Sequence, residues 1–206
     1  MPKQSSPLEG LKKYLPTNTF DEVEQYLVQY KVHLTITKQR KSILGNYINS
    51  FANNNHRISV NGNLNKYAFL ITLLHELAHL LTFEQYGHKV LAHGKEWKNA
   101  FSTILVQFLQ KNIFPKDIEK ALLHNIKNPA ASSCADVVLT RVLHLYDEKK
   151  AGMVLVENIA PNGSFILEDG RVFKKVQLVR KRIKCIEVAT GKIYLFSPVF
   201  EVLPLN

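Results

Sequence analysis

The sequence has very little cysteine. Its 206 residues include two, Cys134 and Cys185. So few cysteines exclude a disulfide-rich scaffold and a cysteine-rich zinc ribbon, and they fit free thiols in a reducing compartment. We therefore expect a cytoplasmic protein.

Long apolar runs are missing too. The longest is YAFLITLL at 67–74, far short of the roughly 20 apolar residues that a membrane-spanning helix needs. The first residues, MPKQSSPLEGLKKYLP, contain no apolar segment typical of a secretory signal. The sequence thus predicts no membrane partner.

Acidic residues are scarce relative to basic ones. There are 17 Asp and Glu against 27 Lys and Arg, which gives a formal net charge of +10. Such a surplus favours polyanionic partners, because basic side chains release the counterions of nucleic acids on binding. A nucleic-acid partner is one interpretation of this charge.

The pattern of residues predicts an α+β chain in three segments. Residues 1–18, rich in Pro and Ser, are expected to be a flexible lead-in. Residues 19–150 mix helical and strand periodicity, and Thr19 with Glu22 resembles a capping box. Residues 151–206 contain short β-rich runs separated by Asn-Gly, Asp-Gly and Thr-Gly turns, which predict a small basic module of four or five strands.

Within the second segment the periodicity predicts a helix, then strands, then further helices. The first helix begins after Thr19, and Ser133 with Asp136 offers a cap for the last one. The strands are expected at 32–38, 41–50 and 56–62, and the later helices at 64–86, 95–111, 116–127 and 134–146.

The stretch LITLLHELAHLLTF at 70–83 is apolar apart from one seam of polar residues. On a helix of 3.6 residues per turn this seam forms a single stripe, made of Thr72, His75, Glu76, His79 and Thr82. Burying an ionisable group without a partner costs on the order of several kcal/mol of folding free energy. The side chains of this stripe therefore require a binding partner.

A metal ion would satisfy these residue types. His75 and His79 are four apart on one helical face, so their imidazoles can converge on one ion, and Glu76 completes the pattern H-E-x-x-H. In that pattern the glutamate is not a ligand but a general base. The structural alternative is a core histidine paired with a glutamate on one helix.

A zinc site that keeps one position open needs a third protein ligand. The downstream candidates are Glu84, His88, His93 and Glu96. His93 is the most attractive, because the reversal at Gly87 lets the chain double back toward the helix. His88 beside that turn is expected to face solvent, and Glu96 to face away from the core.

HELAHLL followed by HGKEWK resembles the SprT-like zinc metalloprotease family, and the upstream ITKQRKSILGNY is similar to the strand pair of that family. The resemblance covers about 20–147. It implies a minimal zincin-like protease domain in which His75, His79 and His93 bind one zinc ion and Glu76 is catalytic. In relatives such as the eukaryotic Spartan proteases, this activity is directed at proteins crosslinked to DNA.

The C-terminal module departs from that family. Many SprT-like proteins have a zinc ribbon with paired cysteines here, whereas this chain has Cys185 alone. The stretch 171–184 of this module instead carries seven basic residues and no acidic one, namely Arg171, Lys174, Lys175, Arg180, Lys181, Arg182 and Lys184. With Phe173, Tyr194 and Phe196 as stacking surfaces, these bases would suit single-stranded or distorted DNA. The alternative is a charged edge strand that prevents aggregation.

The sequence as a whole predicts a zinc-dependent hydrolase of peptide bonds, with proteins as substrates, DNA as a further partner and a role in DNA repair. Two other functions remain open. One is a nucleic-acid-binding factor that contains zinc without catalysis, and the other is a hydrolase of small amides or esters.

Overall fold

The first three strands form a mixed sheet around β3. The computed structural model describes residues 8–40, 43–50, 54–126, 129 and 136–205. Strands β1 (His33–Thr37), β2 (Gly45–Ile48) and β3 (Arg57–Asn61) are ordered β1-β3-β2. β3 pairs in parallel with β1 and antiparallel with β2. β2 therefore forms one edge of the sheet.

Helix α2 (Lys66–Tyr86) is buried along most of its length. It packs against β2 and β3 and against α3 (Lys95–Leu109), so apolar residues are needed on nearly all its faces. Asn65 caps its start by accepting a hydrogen bond from the N–H of Ala68 at 2.9 Å. Gly87, at φ +61°, ends it and donates to the carbonyl of Phe83.

The remaining helices complete one hydrophobic core with α2 and α3. They are α1 (Phe20–Gln29), α4 (Lys116–Asn125) and α5 (Val137–Leu143), the last followed by a 3-10 turn at His144–Tyr146. Leu27, Phe69, Trp97, Phe108 and Ile118 are all nearly inaccessible in this core. Among the described residues, no helix combines the length and the apolar character needed to cross a bilayer.

Two expectations for the N-terminal segment are wrong. Residues 9–14 form a 3-10 helix, and Leu11 and Leu15 are buried in the core, so residues 8–18 are not a flexible lead-in. Two leucines four apart are too few to produce a periodic signal, yet they suffice to dock a short segment. Thr19 does precede α1, but its side chain accepts no hydrogen bond from the N–H groups of the helix and instead donates to the carbonyl of Pro16, so the capping box is absent.

The last helix of this part is capped by Asp136. Its carboxylate accepts a hydrogen bond from the N–H of Leu139 at 3.0 Å. Ser133, the other residue of the expected cap, lies outside the described residues, as does Cys134.

The chain divides into two compact units, Met1–Asp147 (unit 1) and Glu148–Asn206 (unit 2). The strands of unit 2 pair antiparallel in the order β4-β9-β5-β6-β7-β8. They are β4 (Val154–Leu155), β5 (Ser164–Ile166), β6 (Val172–Val179), β7 (Arg182–Glu187), β8 (Ile193–Phe196) and β9 (Glu201–Leu205). Val156, Phe165, Phe173, Cys185 and Val202 are fully buried in its core.

Residues 148–205, all of them described, contain six strands instead of the expected four or five. The segment KIYLFSPVFEV reads as one run but forms both β8 and β9. Pro198 has no N–H to donate, and Phe200 donates to the carbonyl of Ser197 in a turn, so the ladder is interrupted there.

Candidate metal centre

Three imidazoles converge at the middle of α2. His75 and His79 come from adjacent turns of α2, and His93 comes from the connection between α2 and α3. The Nε2 atom of His75 is 3.3 Å from Nε2 of His79 and 3.3 Å from Nε2 of His93. Among the described residues, these three form the group of side chains able to hold a metal ion.

The backbone before α3 brings His93 to the other two histidines. The chain reverses at Gly87, and His93 itself adopts a left-handed conformation at φ +60°. This region is costly for most side chains. The N–H of Gly94 then donates to the carbonyl of Leu91, and Gly94 begins α3. His93 thus lies between a tight turn and a helix start, which fixes its position.

The spacing of the three nitrogens fits a tetrahedral zinc ion. With Zn–N bonds of about 2.0–2.1 Å, tetrahedral geometry separates ligand nitrogens by about 3.4 Å, close to the 3.3 Å found here. Burial and the neighbouring imidazoles lower the pKa of His75 to about 3, and burial with His93 lowers that of His79 to about 4. Neutral imidazoles retain the lone pairs that a metal requires.

Trp97 forms the wall behind the three histidines. Its ring centroid lies 4.7 Å from those of His75 and His93 and 5.3 Å from that of His79. The Trp97 side chain is fully buried and stacks on Phe101. An apolar wall of this kind lowers the local dielectric constant and limits the rotation of the imidazoles.

Glu76 lies on the same face of α2, directly against the backbone of β2. A β-carbon added to Gly45 would come within 2.6 Å of Oε1 of Glu76 and 2.8 Å of Cγ2 of Thr72. A residue larger than glycine at this position would therefore displace the side chains of Glu76 and Thr72. Burial raises the pKa of Glu76 to about 7, and the positive charge of Arg40 acts in the opposite direction.

Arg40 is a residue whose position the sequence did not indicate. Its guanidinium donates to the side-chain oxygens of Asn61 and Ser59 at 2.8 and 3.0 Å, and to the carbonyl of Leu44 at 3.3 Å. These bonds hold the connection between β1 and β2 and keep a fixed cation near Glu76. An arginine in a predicted loop carries no sequence signal for this role.

Tyr47, His56 and Glu84 form a second group of polar contacts, next to His79. The ring of Tyr47 is parallel to that of His79, with centroids 6.4 Å apart. Nδ1 of His56 accepts from the N–H of Ser50 and, at 2.9 Å, from the hydroxyl of Tyr47. A neutral His56 therefore carries its proton on Nε2, which faces the carboxylate of Glu84 at 3.2 Å.

The histidines and Glu76 open into a cleft of about 570 Å³. The cleft is bounded by β2 on one side and by the connection between α2 and α3 on the other. Of the other candidate ligands, His88 is exposed at its rim and Glu84 is paired with His56. Glu96 lies beside Gly94, outside the histidine cluster.

Thr72 and Thr82, the two ends of the predicted polar stripe on α2, differ in their hydrogen bonding. The hydroxyl of Thr82 donates to the carbonyl of Ala78 at 2.7 Å and so belongs to the hydrogen bonding of the helix itself. Among the described residues, Oγ1 of Thr72 and Nε1 of Trp97 are the buried side-chain polar atoms that have no hydrogen-bond partner.

The seven basic residues of the stretch 171–184 do not lie on one face. Nζ of Lys175 donates to the carbonyls of Glu157 and Ile159 at 2.8 and 2.6 Å, and Arg171 pairs with Asp169. The other five are Lys174, Arg180, Lys181, Arg182 and Lys184, of which Lys184 is half-buried and the rest are exposed. Arg180 and Lys181 form the turn between β6 and β7.

The three aromatic residues expected to offer stacking surfaces pack against one another in unit 2. Phe173 is fully buried, so the expectation that it stacks on bases is wrong. Tyr194 and Phe196 also pack their rings against Phe173 at centroid distances of 5.2 and 5.0 Å. Cys185 is a buried free thiol whose pKa is raised to about 11 by burial.

Comparison with known proteins gives one match. The model of the SprT-like family matches residues 15–124, which is more than half of the 206 residues. The matched region contains all three histidines and Glu76, and the match confirms the resemblance expected from the sequence. No curated protein and no solved structure matches the chain.

Proposed function

The chain belongs to the SprT-like family, and from this premise we propose that it is a zinc-dependent metallopeptidase whose unit 1 has a minimal zincin-like fold. The observation that carries the proposal is the convergence of three neutral imidazoles beside Glu76 in an open cleft. His75, His79 and His93 are the zinc ligands. A zinc ion held by them would lower the pKa of water and polarise a carbonyl oxygen.

Glu76 is the proton carrier of the reaction. Its carboxylate accepts the proton of the attacking water and returns it to the leaving amine. In the metal-free protein burial raises its pKa to about 7, so the site favours uptake of a proton by this carboxylate. Gly45 holds the carboxylate from one side, and Arg40 supplies the opposing positive charge.

The substrate is an extended peptide. β2 lies at the edge of the sheet formed by the described residues and passes directly beside Glu76, so a further strand can pair with its outer side. A peptide paired in this way carries its carbonyls past the three histidines. This geometry favours a peptide over a small amide or ester, which has no backbone to pair.

The proposal is tested by zinc content and cleavage of casein in three variants. Glu76→Gln keeps one zinc ion per chain and loses activity, whereas His93→Ala loses both. His88→Ala is the matched control, because His88 lies at the rim of the same cleft but outside the cluster. It keeps zinc. Equal activity of wild type and Glu76→Gln would contradict the proposal.

We further propose that the substrates are proteins associated with nucleic acid, such as DNA–protein crosslinks. The net charge of +10 and the exposed Arg180 and Lys181 support recruitment through phosphate contacts. Phe173, one of the three expected stacking surfaces, is buried in the core of unit 2, so the proposal rests on electrostatic contacts and not on base stacking. Cleavage should then be stimulated by DNA, and the stimulation should fall steeply as salt is raised. Stimulation that is insensitive to salt would contradict recruitment of this kind.

A further inference from the structure

The rim of the cleft carries exposed apolar side chains on both of its sides. Leu91, on the connection between α2 and α3, is 80% exposed, the largest fraction among the large apolar side chains that the structure describes. Ile43, just before β2 on the other side, is 42% exposed. Both residues line the cleft. One exposed leucine is ordinary on a protein surface, but apolar side chains on two sides of the same cleft indicate a binding surface.

Hydrogen bonds fix the backbone at both positions. The carbonyl of Leu91 accepts from the N–H of Gly94 at 2.9 Å, in the turn that also places His93. The carbonyl of Ile43 accepts from the side-chain amide of Asn61 at 3.0 Å, and Asn61 is buried in β3. Binding to a surface that is already fixed requires little further ordering. The two apolar side chains are therefore exposed on firmly held segments.

The walls of the cleft contain no basic residue among those that the structure describes. The chain has 27 Lys and Arg, yet none of them is among these lining residues. The acidic residue among them is Glu76. Because phosphates are bound by cations, this cleft offers no partner to a nucleic-acid backbone. Its walls instead suit the apolar side chains of a polypeptide.

We propose that the cleft selects peptides by an apolar side chain next to the scissile bond, and that Leu91 and Ile43 determine this selection. The inference rests on the proposed peptidase activity. Side chains of an extended peptide alternate between its two faces, so a peptide paired with β2 directs every second side chain into the cleft. Contact with Leu91 and Ile43 removes water from an apolar side chain, whereas a charged one would lose hydration without gaining a partner.

Three peptides test the selection. They share a host sequence of Gly and Ser and differ in a central pair, which is Leu-Leu, Lys-Lys or Asp-Asp, so the varied side chain flanks the central bond on both sides. We expect kcat/KM for the Leu-Leu peptide to exceed that for the other two by roughly tenfold to a hundredfold. Equal rates for the three peptides, or faster cleavage of a charged one, would overturn the proposal.

Variants with an introduced carboxylate test the two residues. Leu91→Asp and Ile43→Asp should each lower kcat/KM for the Leu-Leu peptide by about tenfold. Both should raise it for the Lys-Lys peptide, because the new carboxylate attracts a cationic side chain. Zinc content is measured in each variant. If Leu91→Asp loses zinc because it lies close to His93, Ile43→Asp on the other side of the cleft decides.

Leu145→Asp is the matched control for the added charge. Leu145 is 72% exposed in unit 1 and is not one of the residues that line the cleft. The ratio of kcat/KM between the Leu-Leu and Lys-Lys peptides should therefore be that of wild type. The same wild-type ratio in Ile43→Asp and in zinc-loaded Leu91→Asp would show that these two residues do not select the substrate.

Binding separates the outcome for selection from the outcome for the function. The three peptides, labelled with fluorescein, are titrated with Glu76→Gln in the presence of zinc and followed by fluorescence anisotropy, which needs no turnover. We expect the Leu-Leu peptide to bind roughly tenfold more tightly than the other two. If wild type cleaves no better than Glu76→Gln, the proposed function fails, and this binding ratio alone decides: equal affinities overturn the selection. If wild type is active and the three peptides bind and react alike, the function stands and the selection is overturned.

Discussion

The environment of Glu76 opposes its negative charge. The residue is buried, and burial raises its pKa to about 7 although Arg40 partly compensates. In the range between its ordinary pKa of 4.5 and about 7, the folded protein holds a proton that the unfolded chain has released. The contribution to stability is therefore full below pH 4.5 and decreases as the pH rises to 7. Above pH 7 the charged carboxylate destabilises the metal-free fold.

Glu76→Gln should accordingly stabilise the metal-free protein at pH 8. We expect an increase of at most about 3 kcal/mol in the free energy of unfolding, measured by denaturant unfolding in the presence of a chelator. At pH 5 the difference should become small, because the wild-type carboxyl is then protonated. Zinc should also reduce the difference, since a cation stabilises the carboxylate. An equal difference at pH 5 and pH 8 would contradict this account.

For individual residues, the sequence predicts the metal ligands and the catalytic glutamate better than it predicts the residues that contact them. The spacing of His75, Glu76 and His79 is a property of a helix and can be read directly. Gly45 and Arg40 act through contacts made across the sheet, and no local pattern reports such contacts. The same limit explains why Phe173 was expected at the surface, since its burial depends on how the strands of unit 2 pair.

The connection between α2 and α3 is the element that closes the site. It contains the exposed Lys89 and Leu91, and it contacts α2 through His93 and through the ring of His88 on Phe83. His93 is held in a left-handed conformation, which is unfavourable unless a further interaction fixes it. A metal ion shared with His75 and His79 would supply that interaction.

Zinc should therefore protect this connection from trypsin. Lys89 is an exposed cleavage site four residues before His93. We expect the bond after Lys89 to be cut rapidly in the metal-free protein and slowly with zinc, because local opening must break the bond between His93 and the metal. Mass spectrometry of the fragments identifies the site.

Two variants control this digestion. His93→Ala should be cut after Lys89 even with zinc, and His88→Ala should be protected like wild type. Equal cutting of wild type with and without zinc would show that the connection does not depend on the metal.

The end of α2 and the start of α1 were both predicted from local signals, but only the first signal acts as expected. Gly87 ends α2 as expected, because glycine readily adopts φ +61°. Thr19 and Glu22 have the sequence of a capping box, yet the hydroxyl of Thr19 bonds Pro16. The hydroxyl accepts no hydrogen bond from the helix N–H groups, and the sequence alone does not say how a threonine side chain before a helix is oriented.

The whole molecule combines a unit with the candidate metal site and a second unit with a core and a basic turn of its own. Unit 1 contains the three histidines, Glu76 and every residue of the cleft. Unit 2 has its own core and the turn with Arg180 and Lys181. The change from mixed helix and strand to short strands near residue 150 was visible in the sequence, because turn pairs and β-rich runs have local signatures.

This division predicts that catalysis and recruitment are separable. Residues 1–147 alone should bind zinc and cleave casein at a rate similar to that of the full chain, because the cleft is built from unit 1. DNA should stimulate the full chain and not this fragment, since the fragment lacks the phosphate contacts of unit 2. Cleavage rates with and without DNA, at low and high salt, measure both effects.

The same question can be tested in the full chain with two double variants that each remove two positive charges. Arg180→Ala with Lys181→Ala should reduce stimulation by DNA, whereas Lys66→Ala with Lys120→Ala removes the same charge from exposed positions of unit 1 and should reduce it less. For every phosphate that is no longer neutralised, the slope of log affinity against log salt should become shallower by about 1. If the two double variants behave alike, the net charge of the chain and not the turn of unit 2 attracts DNA. If the fragment 1–147 is stimulated as strongly as the full chain, DNA binds within unit 1, and unit 2 serves another purpose.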